Sequence, residues 1–374
     1  QNVNLFEVNF KFSTNLVFYN FYMRIEKTSI SRLNDTDFNN LKFGETFTDH
    51  MFICDYEDGR WIDSRIVPYK PIEIEPSANV FHYGQAVFEG MKAYKDDSGK
   101  IWLFRPTENY KRISISSERL AMPELGESVF LSALNKLLTL DSDWVKPGIG
   151  NSVYIRPFIF GSEYCIAASP SRKYKFMIIL SPVQSYYSGY IKVLVAEKYS
   201  RAANGGVGYA KAAGNYGSQF YPTRLAQKEG YDQIIWTDSK NHKFLEEAGT
   251  MNIFVRIDDT IITAPTTDTI LDGITRKSII KIAEDNNIKV EVRPISIDEV
   301  IEAHSVGKLK EIFGSGTAVV VSEISSFGYR GKNYNLKKIE NSYASTLKSI
   351  ITNIQYNLKE DPYGWRSEVS AVIV

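Results

Sequence analysis

The chain has 374 residues, 43% hydrophobic and 24% charged, an ordinary soluble composition with room for two cored domains. Its 44 Lys and Arg balance its 44 Asp and Glu, which excludes the basic field that nucleic acid or an anionic membrane surface requires. No apolar run approaches the ~18 residues of a membrane span. Two distant cysteines, Cys54 and Cys165, with no CxxC or HExxH, argue against zinc and for a reducing, cytoplasmic setting.

Residues 1–22, rich in Asn and Phe, lack the basic region of a signal peptide and read as an extension upstream of Met23. Met51 to Tyr56 and Trp61 to Pro68 read as strands around the turn Glu57-Asp-Gly59. The second half of Phe81 to Tyr94 reads as a strand, and Ile101 to Phe104 as its return. Pro106 opens a helix that ends before Pro123, and a second helix covers Ser128 to Leu140. Ser152 to Phe160 alternates as a strand in which Pro157 predicts an edge or a bulge, and Lys175 to Leu180 is an apolar strand. This mixture reads as α+β, an N-terminal domain over 23–180. Residues 181–190, with Ser, Gly, Pro and three tyrosines, read as an interdomain loop before a second domain over 191–374.

In that second domain, strands are predicted at Ile191 to Ala196, Gln233 to Trp236, Phe244 to Val255 and Val290 to Val292. Helices are predicted at Ser218 to Lys228, Leu271 to Asp285, Ile297 to Ala303 and 340–357. Glu311 to Val321 reads as strand, tight Gly turn, strand.

The stretch Gly205-Gly-Val-Gly-Tyr-Ala-Lys211-Ala-Ala-Gly-Asn-Tyr-Gly217 sets one lysine among small residues. Two readings stand: a solvated loop lysine, or an amine whose desolvation lowers its pKa and makes it a nucleophile. A Walker A loop needs Gly-Lys-Ser/Thr, and Lys211 lies between Ala210 and Ala212; Gly314-x-Gly316-x-x-Val319 lacks the third Gly of a dinucleotide fingerprint. A pyridoxal phosphate reading uses more of the chain. Lys211 would form the Schiff base, and Glu246 or Glu247 would hold the pyridine nitrogen. The helix start at Gly273-Ile274-Thr275 and the turn Gly314-Ser-Gly316-Thr317 are candidate anion sites, and Arg105, Arg112, Arg119 and Arg156 are candidate cations.

Read together, Phe43-Gly-x-x-Phe-Thr-Asp-His-Met51, Phe88-Glu-Gly-Met-Lys92, Tyr154-Ile-Arg-Pro157, Lys211-x-x-Gly-Asn-Tyr-Gly217, Glu247-Ala-Gly-Thr-Met-Asn252 and Phe313-Gly-Ser-Gly-Thr-Ala318 resemble the branched-chain amino-acid aminotransferases. The resemblance covers roughly residues 43–370. It implies the two-domain fold type IV architecture, a smaller N-terminal α/β domain and a larger C-terminal domain with a β-barrel-like core. It also implies pyridoxal 5′-phosphate and a homodimer. The reaction implied is ping-pong transfer of the amino group from L-leucine, L-isoleucine or L-valine to 2-oxoglutarate.

Carried onto this chain, the resemblance implies Lys211 as the Schiff-base and proton-transferring lysine, Glu247 on the pyridine nitrogen and Tyr216 on O3′. It implies Arg112, Ile274, Thr275 and Thr317 around the phosphate, and Thr317 and Ala318 at the substrate carboxylate. Phe43, Tyr83, Phe88 and Tyr154 become walls of the side-chain pocket, Arg156 the partner of the distal carboxylate of glutamate, and Tyr186 part of a covering loop; Thr250 joins the substrate site. The relatives within this fold are D-amino-acid aminotransferase and aminodeoxychorismate lyase, and a ligand-binding relative without turnover is the non-enzymatic alternative. Where the animal enzymes carry a CxxC, this chain has Val319 and Ser322, which removes the basis for a thiol switch.

Overall fold

The computed structural model describes residues 23–184 and 189–370. The 1–22 extension and Tyr186 lie outside the described residues. Among those described, the strands form two sheets of nine. The first runs in the order Arg24–Ile25, Arg60–Pro68, His50–Glu57, Tyr174–Val183, Ser152–Gly161, Met91–Lys95, Ile101–Phe104 and Arg366–Glu368. Ala86–Phe88 also pairs with Ser152–Gly161. The hairpin at Asp58-Gly59 closes because both residues adopt positive φ, 50° and 79°, which matches the twist of its strands. Helices Pro106–Arg119 and Glu127–Leu140 bury Ile113, Phe130, Leu134 and Leu137 against Phe52 and Phe176 of this sheet.

Pro157 lies in a central strand, not at an edge. Register pairing covers both flanks of Ser152–Gly161. The Pro157 carbonyl accepts from Glu89 N, so its missing N–H faces Glu89-Gly90, the break between strands Ala86–Phe88 and Met91–Lys95. An interruption in the neighbour removes the need for the proline's donor. Ser181 and Pro182, read as linker, still pair with Tyr154 and Val153 and finish strand Tyr174–Val183.

The second sheet closes on itself. Ile191–Val195, Gln233–Thr237, Leu245–Ala248, Met251–Ile257, Leu309–Gly316 and Val320–Tyr329 form a ring, completed where Glu247 and Ala248 pair with Asn252 and Met251. Six strands in a closed barrel leave no exposed edge in the ring. Glycines Gly314 and Gly316 stay inside a strand instead of forming the predicted turn. A Cβ would lie 2.7 Å from Met251 Sδ at the first and 2.9 Å from Thr250 O at the second, so close packing, not bending, requires glycine there. The turn itself is Thr317-Ala318-Val319, followed by Val320 at φ 61°. Helices Ile274–Asp285 and Tyr343–Gln355 pack together over this barrel through Ile279, Ile282, Leu347 and Ile351. No helix among the described residues is long and apolar enough to cross a membrane.

Candidate active site

Both domains contribute to a cavity of about 600 Å³. Its walls from the first domain follow the period-2 geometry of paired strands. Tyr154, Arg156 and Phe158 point inward from alternate positions of Ser152–Gly161; Arg156 stands opposite Ile179, and Phe158 opposite Phe88. Phe43 meets Tyr154 edge-on at 5.0 Å between ring centroids. Gly90 leaves the space that the Tyr154 hydroxyl fills, since a Cβ there would lie 2.1 Å from it. Thr250, Thr317 and Ala318 supply the wall from the barrel.

Lys211 and Arg156 are the two charged side chains among the described residues that line this cavity. Lys211 is held by its backbone: its N–H donates to Ser116 Oγ at 2.9 Å, and its carbonyl accepts from Phe88 N at 3.1 Å. Asn215 Nδ2 donates to the Val207 and Ala210 carbonyls and clamps the glycine-rich loop. Gly208 packs so closely on Asp268 and Thr269 that a Cβ would meet the Asp268 carbonyl at 2.6 Å. Lys211 Nζ donates to the Tyr216 hydroxyl at 2.7 Å and sits 4.8 Å from the centre of the Phe88 ring. Burial, reinforced by the Arg112 charge, lowers the Lys211 ammonium to about 8. Burial and the Glu247 charge push the Tyr216 phenol upward, so it stays protonated.

Glu247 and Glu246 face opposite sides of strand Leu245–Ala248. The Glu247 carboxylate takes the Arg201 guanidinium, Leu271 N at 3.1 Å and Asn252 Nδ2 at 3.4 Å. Burial raises its carboxyl, and Arg201 opposes that rise. Lys211 lies near enough to act on the same carboxylate.

Arg112 is buried and forked onto Glu89: Nε to Oε1 at 2.6 Å and Nη2 to Oε2 at 2.8 Å. Burial alone would raise the Glu89 carboxyl; the Arg112 charge overrides it and holds the group below the usual range. Arg112 Nη1 reaches the Asp272 carbonyl at 3.1 Å, just ahead of helix Ile274–Asp285. Ile274 and Thr275 open that helix, where backbone N–H groups lack intrahelical partners. They line a small cavity together with Thr317 and Asn109. Thr317 Oγ1 donates to the Gly90 carbonyl at 3.1 Å and ties the two domains together there.

The structure therefore brings Phe43, Phe88, Tyr154, Arg156, Lys211, Tyr216, Thr250, Thr317 and Ala318 to one cavity, and it sets Arg112, Ile274 and Thr275 beside one helix start. Tyr83 is the exception. It is 47% exposed at the end of helix Asn79–Tyr83, with its hydroxyl on the Ile166 carbonyl, away from the cavity of its own chain. Glu89, Arg201, Phe158 and Ile179 were not singled out from sequence. Strand alternation from Tyr154 and Arg156 points to Phe158, whereas Glu89 and Arg201 act through partners 23 and 46 residues away.

The class IV amino-transferase family model matches residues 86–327. The chain belongs to this family. It is 46% identical over 339 residues to a probable branched-chain-amino-acid aminotransferase of Staphylococcus epidermidis, covering 89% of this chain and 94% of that one. It is 44% identical to branched-chain-amino-acid transaminase 1 of Bacillus subtilis, covering 89% and 95%. A solved branched-chain aminotransferase of Thermoproteus uzoniensis shares the fold at TM-score 0.70 and 22% identity, covering 86% of this chain and 100% of that one. Another solved branched-chain aminotransferase, TM-score 0.67 at 21% identity, covers 85% and 98% and is complexed with N-(5′-phosphopyridoxyl)-L-glutamate.

Proposed function

We propose that this class IV aminotransferase is a branched-chain amino-acid transaminase, passing the amino group of L-leucine, L-isoleucine or L-valine to 2-oxoglutarate. The observation that carries the reading is the apolar cavity in which, among the described residues, Lys211 is the single amine and Arg156 the single guanidinium, its buried Nε without a hydrogen-bond partner there. Phe43, Phe88, Phe158 and Ile179 suit a branched aliphatic side chain. Arg156 suits the second carboxylate of glutamate or 2-oxoglutarate in that same space.

The residues present fit pyridoxal 5′-phosphate. Lys211 offers an amine already near neutrality, Glu247 a buried carboxylate, and Tyr216 a hydroxyl against the lysine. Arg112 brings a fixed positive charge beside the free amides of Ile274 and Thr275, with the Thr317 hydroxyl in the adjoining space. When bound there, the cofactor supplies a carbonyl that exchanges for the amine and an electron sink for the α-carbon.

The protein's own part follows from its geometry. Lys211 Nζ, neutral above about pH 8, takes the proton from the substrate α-carbon and returns it. Tyr216 Oη holds Nζ in place at 2.7 Å. Glu247, pinned by Arg201 and Leu271 N, offers a negative charge to a protonated ring nitrogen. The backbone amides of Thr317 and Ala318 receive the α-carboxylate, and the aromatic walls exclude water from the apolar side chain.

A homodimer is part of this reading. Phe81, Tyr83, Tyr164 and Ile166 leave exposed apolar surface where helix Asn79–Tyr83 meets the bridge between Ala78 and Tyr164, and a second copy would cover it. A division between strands Tyr174–Val183 and Ile191–Val195 and a cytoplasmic location, in keeping with free Cys54 and Cys165, belong to it as well.

In a donor panel with 2-oxoglutarate, the three branched L-amino acids give the highest kcat/KM. Arg156→Met raises KM for 2-oxoglutarate by about tenfold or more and changes leucine kinetics far less, since one charge-assisted contact is worth ~1.5–3 kcal/mol. Preference for D-alanine, or pyruvate release from aminodeoxychorismate, overturns the reading. The pH dependence of cofactor uptake offers a second check. With Lys211 lowered to about 8, the rate at which stripped enzyme regains cofactor absorbance rises with pH and levels off above 8. A rate still climbing towards the ordinary lysine value of 10.5 contradicts the shielded amine.

A further inference from the structure

The turn Thr317-Ala318-Val319 has a second cavity against it. This space of about 100 Å³ is lined by residues that include Lys92, Lys348, Gln355 and Ala318 to Val320. It shares Ala318 with the main cavity and is otherwise built from different residues.

Its chemistry is cationic and uncompensated. Neither Lys92 nor Lys348 forms an ion pair among the described residues, and no Asp or Glu is part of the lining. Lys92 is 8% exposed, and its one side-chain hydrogen bond among the described residues runs from Nζ to the Ala318 carbonyl at 2.7 Å. An ammonium has three donors, so the others are unused. Burial and the Lys348 charge lower Lys92 to about 8. Val320 follows the turn with φ 61°, unusual for a β-branched residue and a mark of strain of about 1–3 kcal/mol. Roughly three water volumes fit the cavity, at about 30 Å³ each.

We propose that this cavity is a binding site for a small inorganic oxyanion, held between Lys92 Nζ and Lys348 Nζ and coupled through Ala318 to the turn that receives the substrate carboxylate. An oxyanion there satisfies the spare donors and offsets two like charges. It also withdraws positive potential from behind the Thr317 and Ala318 amides, so site occupancy and substrate carboxylate oppose each other. By linkage, the effect is reciprocal. The coupling rests on the transaminase reading; the binding does not.

The test titrates inorganic phosphate into cofactor-loaded enzyme by calorimetry, in wild type, Lys348→Met and Lys348→Arg. Lys348 is exposed on helix Tyr343–Gln355, so replacement leaves the fold intact. Retained cofactor absorbance verifies this, and Lys348→Gln serves if the methionine variant fails it. The expected result is one saturable site per chain, weakened at least tenfold without the lysine and kept by arginine. Phosphate then raises KM for L-leucine in wild type, with kcat unchanged, and does so much less in Lys348→Met. Absence of saturable binding overturns the proposal. Equal binding in wild type and Lys348→Met overturns it too, because phosphate would then occupy the substrate cavity. Phosphate binding as proposed without any change in KM retains the site and refutes the coupling.

Discussion

Lys211→Ala abolishes transamination, lowering the rate with L-leucine and 2-oxoglutarate by about four orders of magnitude or more, the scale of losing a reacting group. The fold survives. The lysine contributes to the cavity wall one hydrogen bond, to Tyr216, and its buried ammonium costs stability, so apo-protein melting shifts little or upward. A second buried lysine makes the assignment sharp. Lys92 is also lowered to about 8, yet it is tied to the Ala318 carbonyl and is not part of the lining of the 600 Å³ cavity. Borohydride reduction of loaded enzyme followed by peptide mass analysis places the cofactor on Lys211. A label on Lys92, or substantial turnover by Lys211→Ala, contradicts its role.

Arg112→Met has the largest expected effect on the folded state. It strands Glu89, which is fully buried with Arg112, Asn109 and Gly90 N as its partners. Breaking such a pair from one side costs about 3–5 kcal/mol, because a carboxylate remains in a medium that solvates it poorly. It also removes the positive charge beside helix Ile274–Asp285, so cofactor affinity falls with stability. The double variant Arg112→Met, Glu89→Gln separates these effects. Removing both charges recovers much of the stability in denaturant unfolding, whereas cofactor affinity stays low. Recovery of both together would mean that Arg112 acts on the cofactor only by holding the fold.

Much of the site is legible in short stretches of sequence, because several of its parts lie on single loops or strands. Lys211 and Tyr216 are five residues apart and meet through a hydroxyl. Tyr154 and Arg156 share a strand face, and Ile274 and Thr275 open a helix. What local reading missed depends on pairing across the fold. The acid that fixes Arg112 comes from the break between two strands, and the arginine that fixes Glu247 precedes the glycine-rich loop. Those partners carry no local pattern, since a buried charge pair is defined by what surrounds it. Pro157 misled for a related reason: a proline signals an edge only if its neighbour is continuous, and here the neighbour breaks at Glu89-Gly90. Gly314 and Gly316 read as a turn because sequence does not distinguish bending from close approach.

The most direct measurement is a single turnover of cofactor-loaded enzyme with L-leucine and no acceptor. The cavity built around Lys211 and walled by Phe43, Phe88 and Phe158 predicts one equivalent of 4-methyl-2-oxopentanoate per site. It also predicts a loss of the yellow colour that 2-oxoglutarate then restores. A full turnover with D-alanine and none with L-leucine would contradict it.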